Sequence, residues 1–420
     1  MKPALPPEFP ANVTSRHYQL CRLYYNAHMP IKIVIAPQAF KGGLGAREAA
    51  QAIQEGVLRA LPDADTALVP VADGGGGTLE AMVGEALVGS GGRYSESRVA
   101  GPLGEQVTAR WGVIAGGRTA VIEMAQASGL VLVPEGKRDP RLASSYGTGE
   151  LIGAALDAGC REIIVGLGGS ATNDGGAGMA QALGASFTDA SGAELPRGGA
   201  ALARLEHIDL SNLDRRLRGA SVLAATDVTN SLCGPEGAST VYGPQKGATP
   251  DMVTELDAAL ERFANVVRHD LGVELLSLSG AGAAGGMGAG LVAVLGAEIV
   301  SGAALVCDTV GLNDQLARAG LAITGEGLLD SQTMYNKAPM EVARRAIARG
   351  VPVIVVAGAL GPGHEAVLEQ GITTVEAATP DNMPLDEALS RAYELVRDAA
   401  ERAVRRWYEQ NDPADLTGSL

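Results

Sequence analysis

A chain of 420 residues is too long for one hydrophobic core, so at least two domains are expected. A formal charge of −15 argues against nucleic acid or an anionic membrane surface as a partner, and any anionic small molecule must be met by cations placed locally in loops. Hydrophobic residues make up 46% but aromatics only 4%, so the cores are built from Ala, Val, Leu and Ile; the 57 glycines, well above the usual share of about 7%, lie in short loops between apolar runs.

The first 28 residues carry four prolines and no apolar run of the signal-peptide kind. They read as a flexible N-terminal extension, with Met29 a candidate natural start. Ile31–Ala36 then reads as a buried strand, followed by a loop through Lys41 and a helix at about Ala46–Leu61 with one apolar face. Thr66–Val71 is a second strand, ending at Ala72–Thr78 before another helix. Between about 93 and 125 the runs Gln106–Ile114 and Arg118–Met124 look antiparallel, with a hairpin turn at Gly116 and Gly117. A helix at 147–158, strands at 161–166 and 221–225, and a polar stretch at 186–220 follow. Thr249, Pro250 and Asp251 form a strong helix start, and that helix should run to about His269. From about 303 the order reads strand 304–307, helix 312–319, strand 321–324, helix 338–349, strand 351–357, helix 363–370, strand 372–376 and a long helix from about 384.

Strand–helix alternation of this regularity predicts an α/β fold. Residues 29–75 and 298–410 would form an open, doubly wound parallel-sheet domain, and 76–297 an inserted mixed α/β domain, with a tail at 411–420. Ligands in such sheets sit beyond the strand C-ends. The cysteines (Cys21, Cys160, Cys233, Cys307) form no CxxC and the histidines no metal-ligand pair, which suits a reduced, cytoplasmic protein. No window approaches 18 uninterrupted apolar residues, so no membrane span is expected.

Several loops share one grammar: an apolar strand, glycines around one charged or amide side chain, then a helix. They centre on Lys41, on Asp73, and on Gly166–Met179 with Ser170, Thr172, Asn173 and Asp174. Others carry Asp227 and Asn230, Lys246, Gly280–Gly290 with Gly282, and Glu326 and Asp330 leading to Lys337. Phosphoryl transfer needs this mixture, because amides and lysines hold phosphates while carboxylates and amides hold Mg²⁺ or orient the attacking hydroxyl. Each piece alone has a plainer reading: a solvated loop lysine at Lys41, a helix or turn cap at Asp73 or Asp227, a surface ion pair between Asp330 and Lys337. The P-loop motif is absent. Gly280, Gly282 and Gly285 match the G-x-G-x-x-G dinucleotide fingerprint, but in so glycine-rich a chain a chance match outweighs it.

The segments Ile33–Gly42, Val71–Thr78, Ser145–Leu151, Gly166–Met179, Ala225–Asn230, Leu232–Ala238, Tyr242–Ala248 and Gly325–Gly327 with Lys337–Pro339 resemble the bacterial class I glycerate kinases, in order from about residue 31 to 400. The resemblance implies ATP-dependent phosphorylation of D-glycerate, Mg²⁺ as cofactor, and a cleft between a Rossmann-like doubly wound domain and a discontinuous α/β partner. Oligomeric state is invisible in the sequence; a monomer or homodimer is the default. Four departures stand out. Gln38 and Ala39 replace an Asp-Ser pair, Gly76 a Glu, Leu328 an Arg, and Asn336 a Gly. They motivate a competing reading, a relative that binds nucleotide or a sugar acid without transfer, and an intermediate one, a kinase for another hydroxy or aldonic acid.

Within the leading reading the 2-hydroxyl is the favoured acceptor. Lys41, Asp73 and Asp174 are the catalytic candidates, with Asp73 and Asp174 also the Mg²⁺ candidates. Lys41 and Lys246 would meet anionic groups, and Ser170, Thr172 and Asn173 would touch phosphate. Asp227, Asn230, Gly282, Glu326, Asp330 and Lys337 would complete the cleft.

Overall fold

The computed structural model describes residues 30–84, 92–334 and 337–411. The expected N-terminal extension, Met29, Asn336 and the tail beyond Asn411 lie outside the described residues. The chain lays down β1 (Lys32–Ile35), β2 (Asp65–Leu68), β3 (Arg93–Ala100), β4 (Gln106–Ile114), β5 (Thr119–Glu123) and β6 (Glu162–Gly166). Short β7 (Ser186–Thr188) and β8 (His207–Asp209) follow, then β9 (Ser221–Ala225), β10 (Glu298–Val300), β11 (Leu321–Leu329), β12 (Val353–Leu360) and β13 (Thr374–Ala377). The helices that matter below are α1 (Ala46–Ala60), α2 (Thr78–Val83), α3 (Tyr146–Asp157), α4 (Ala177–Ala182), α5 (Pro250–Leu271), α6 (Ala283–Leu295), α7 (Gly302–Thr309), α8 (Ala338–Ile347) and α9 (Ala392–Asn411).

One sheet is wholly parallel, in the order β13-β12-β11-β1-β2, so the two ends of the chain share it. Its strands are apolar on both faces, as a sheet covered on both sides requires. Ile33, Ile35, Ile323 and Ile354 pack on α1 and α9 through Ile53, Val57, Val396 and Ala400. Val34, Ala322, Val353 and Val355 face the other way, onto Val306 of α7 and Val342 and Ala346 of α8.

The second sheet runs β10-β9-β6-β5-β4-β3. Its first four strands are parallel, and β4 and β3 add an antiparallel edge. Val121 and Ile164 of this sheet belong to the same apolar cluster as Val34 and Val355 of the first, so one core runs between the two sheets through the helices. Ala120, Ile122, Ile163 and Val165 face away, onto α3 and α6. Among the described residues no helix is long and apolar enough to cross a membrane.

Two expectations are corrected. Residues 298–300, expected to open the second terminal segment, instead form the edge of the other sheet, with Glu298, Ile299 and Val300 opposite Leu223, Ala224 and Ala225. The apolar run 304–307 is helix, not strand, because Ser301 caps it: its Oγ accepts from the Ala304 amide at 3.2 Å, and Val306 and Cys307 fill the inter-sheet core.

Candidate active site

The C-terminal ends of the two sheets meet backbone against backbone. The loop after β2 turns at Gly74 with φ +87°, and a Cβ there would lie 2.4 Å from the Ala225 carbonyl oxygen at the end of β9. The Gly168 amide, just past β6, donates to Gly74 O at 3.2 Å. Only glycine lets these turns approach so closely. Asp73 is thereby carried from the first sheet to the mouth of the second.

Asp73 Oδ2 accepts from Gln38 Nε2 at 2.9 Å and Oδ1 from the Gly75 amide at 3.2 Å. Across the junction, Asp227 Oδ1 accepts from Ser301 Oγ at 2.7 Å and Oδ2 from the Ala303 amide at 3.0 Å. Burial pushes the Asp227 carboxyl up to about 6; those two donors oppose the shift and the neighbouring charge of Asp73 adds to it.

On the first sheet, Gln38 N–H donates to Gly325 O at 2.9 Å, which ties the end of β1 to β11. Glu326 follows, buried, with Oε2 3.5 Å from Lys337 Nζ at the start of α8. Burial pushes the Glu326 carboxyl up, while the Lys337 ammonium and the Thr333 hydroxyl pull it down. Lys41 is exposed on the loop that passes over Gly327. Asp330 closes the same strand, and its amide donates to Thr333 Oγ1 at 3.1 Å. Lys41, Asp73, Asp227, Asp330 and Lys337 therefore stand on loops past strand ends, where an α/β sheet presents its ligands, and Glu326 on the part of β11 that runs on beyond its pairing with β1.

The glycine loop after β6 behaves otherwise. Thr172, Asn173 and Asp174 are almost wholly buried. Asp174 Oδ2 accepts from Ser145 N at 2.8 Å, Ser145 Oγ at 2.9 Å and Gly178 N at 3.3 Å, and Oδ1 from Gly176 N at 3.2 Å. Burial pushes this carboxyl up and its four donors pull it down. The donor set joins the starts of α3 and α4, and both oxygens of Asp174, expected as a catalytic and Mg²⁺ residue, are engaged by the protein's own donors. Lys246, expected to meet a free anion, is buried and donates to Ser170 Oγ at 3.0 Å and Thr172 O at 2.7 Å. Burial lowers its pKa to about 7, against the pull of Asp174. Asn173 Nδ2 donates to Ser239 Oγ at 2.9 Å, and Thr172 Oγ1 lies 3.5 Å from Ala284 O.

The start of α6 forms the wall behind this loop. Ala284, Gly285 and Gly286 are all left-handed, and a Cβ on Gly285 would meet Thr172 O at 2.0 Å. The Gly285 carbonyl accepts from the Gly175 amide at 3.1 Å. Gly282 is buried against Ser231 O rather than open to a ligand. Asn230 is also spent internally: its amide donates to Glu236 O, and its carbonyl accepts from Tyr242 Oη, each at 2.8 Å. The front of the glycine loop, at Gly166 and Gly168, abuts the Asp73 turn. The dinucleotide-like run is a packing device, because backbone stacked on backbone also selects glycine.

Sequence reasoning missed three residues. Gln38 replaces a carboxylate yet braces Asp73. Ser301 both caps α7 and holds Asp227, and a Ser before an apolar run was the available signal. Ser145, just ahead of α3, anchors Asp174. Of the departures, Gly76 faces open space and Leu328 is 48% exposed.

A parallel sheet and a mixed sheet whose parallel strands meet it at their C-terminal ends, around carboxylates and lysines, define a protein of the α/β class. Residues 33–408 match the model of the glycerate kinase family, and the chain belongs to that family. It is 48% identical over 368 residues to a glycerate kinase of Halalkalibacterium halodurans, covering 88% of this chain and 96% of the relative. It is 49% identical over 366 residues to glycerate 2-kinase of Escherichia coli, covering 87% and 95%. The crystal structure of a "putative glycerate kinase 2" from Salmonella typhimurium superposes with a TM-score of 0.79 at 48% identity, over 91% of this chain and 99% of that one.

Proposed function

We propose that this chain transfers the γ-phosphate of ATP to D-glycerate, at the 2-hydroxyl, as a cytoplasmic enzyme working in the cleft between a doubly wound domain and an inserted one. Membership of the glycerate kinase family supports the reaction. The E. coli relative, named a glycerate 2-kinase, supports the position. The observation that carries the site is the pairing of Asp73 with Asp227 across the junction of the two sheets, linked through Gln38 to the stretch of β11 where Glu326 lies 3.5 Å from Lys337.

The donor set fits Mg²⁺. Asp73 and Asp227 supply hard oxygen ligands from opposite sides of the junction, and the charge of Asp73 reaches the Asp227 carboxyl. Mg²⁺ commonly keeps several waters and is held by one or two carboxylates together with substrate phosphates, so two carboxylates are enough for it. Asp73 and Asp227 would hold it, and it would neutralise charge building on the transferred phosphoryl group.

Around that ion, Lys41 and Lys337 meet the anionic oxygens of the two substrates, and the front of the glycine loop supplies polar backbone to phosphate. Gln38 and Ser301 keep the two carboxylates aimed. Lys246 and Asp174 hold the glycine loop from behind.

The test is ADP release from ATP and Mg²⁺ with D-glycerate, followed by ³¹P and ¹H NMR of the product. 2-Phosphoglycerate is expected. 3-Phosphoglycerate would reassign the hydroxyl, turnover only with longer hydroxy acids would reassign the substrate, and nucleotide binding without turnover would favour the non-catalytic relative.

A further inference from the structure

Two buried oxygens, one on the loop just past β1 and one on the stretch of the neighbouring β11 that runs beyond it, have no donor. Glu326 Oε1 and Gln38 Oε1 are both shielded from solvent and neither has a hydrogen-bond partner among the described residues. Their backbones are joined beside them by the Gln38 N–H bond to Gly325 O. Buried polar atoms are almost always paired, so two orphans on residues whose adjoining backbones are hydrogen-bonded point to a place that a ligand completes.

Their chemistry says which part of which ligand. Both are acceptors, so the missing partners are donors. The phosphates of ATP carry only acceptor oxygens and would be repelled by Glu326. Adjacent hydroxyl groups on a small acid fit. The rest of the Glu326 carboxylate is already fixed, with Oε2 held toward Lys337. One oxygen is restrained and the other is presented.

We propose that Glu326 is the catalytic base: Oε1 takes the proton of the substrate hydroxyl that attacks phosphorus, while Gln38 Oε1 accepts from the neighbouring hydroxyl. As the new O–P bond forms, the bond from γ-phosphorus to the oxygen bridging to the β-phosphate breaks. ADP leaves with that oxygen and its electron pair, and the hydroxyl proton passes to Glu326 and on to solvent. The assignment rests on the glycerate kinase reading, and it moves the base from Asp174, whose oxygens are taken by the protein's own donors. Charged groups facing Glu326 are Lys337, which favours its ionised form, and Asp330, which disfavours it.

The test compares full-length wild type with E326Q. Wild type should turn over D-glycerate, and its kcat should fall along an acid limb. E326Q should lose about 10²–10⁴-fold in kcat. Its thermal midpoint and its affinity for Mg·ADP by calorimetry should stay near wild type, and its residual rate should lack the acid limb. An E326Q kcat within threefold of wild type overturns the assignment, as does a loss accounted for by weaker nucleotide binding. A wild type inactive on D-glycerate overturns the reaction and the base together, whereas an active wild type with an active E326Q overturns the base alone. Should E326Q fail to fold, K337M decides: removing the cation should move the acid limb to higher pH, and an unmoved limb overturns the assignment.

Discussion

The two glycine turns that meet at the centre of this molecule do opposite jobs. The loop Gly166–Met179 has the densest sequence signal, yet behind its front edge the protein itself satisfies Asp174, Lys246 and the amide nitrogen of Asn173, leaving Asn173 Oδ1 without a partner among the described residues. Asp174 has four donors, Lys246 two acceptors, and Asn173 the hydroxyl of Ser239. The strand ends carrying Asp73 and Glu326 look plainer and leave Gln38 Oε1 and Glu326 Oε1 without partners. A polar cluster that closes on itself holds a shape; one that stays open is waiting for a ligand.

Substitutions on either side of this contrast can break it. The largest expected effect is on the closed side. Asp174→Asn puts an amide among N–H and O–H donors and strips Lys246 of its buried counter-charge, so it should cost about 3–5 kcal/mol of stability in denaturant unfolding. The protein that remains folded should keep most of its kcat per site. A fully stable D174N with no turnover would return Asp174 to the chemistry.

On the open side the balance reverses. Asp73→Asn should lower kcat/KM by about 100-fold, close to 2.7 kcal/mol of transition-state stabilisation, and change unfolding stability by less than about 1 kcal/mol. Steady-state kinetics and melting of the same preparation check both halves.

A smaller effect follows from Asp227. Its folded-state carboxyl is raised from 3.8 to about 6 by burial, so the native protein holds an extra proton between those values. Stability contributed by this group therefore falls as pH rises from about 4 to about 6 and is level above that. In metal-free buffer, the stability difference between wild type and Asp227→Asn should change across that window and not above it.

The smallest effect is at Gly76, which has open space where a Cβ would stand and no left-handed backbone. Gly76→Ala should leave stability unchanged or raise it by about 0.4–1 kcal/mol in a thermal melt. A marked loss would mean the turn needs a bare backbone there, as it does at Gly74.

Much of this was legible without a structure. β4 and β9 occupy the runs 106–114 and 221–225 that alternation and apolarity marked out, and α5 begins at the Thr249-Pro250 signal. The loop positions of Lys41, Asp73 and Asp227 past apolar strands were also readable, because a charged side chain follows each strand within a few residues. What failed was non-local. Ala304–Cys307 is as apolar as a strand, and only its cap and its place between two sheets make it helix. Glu298–Val300 is a strand in either arrangement, and its sheet is decided by β9, over seventy residues earlier.

Sequence by itself determined the α/β class, most element positions and the set of loops from which a site had to be drawn, because periodicity, caps and turn residues act within a few residues. Tertiary structure alone decided which side chains of those loops the protein's own donors and acceptors engage. The carboxylate of Asp174 finds donors 29 residues away in Ser145, and Lys246 finds acceptors 74 and 76 residues away in Thr172 and Ser170. A side chain's chemistry depends on whether such distant partners arrive, and no local pattern in the chain records that.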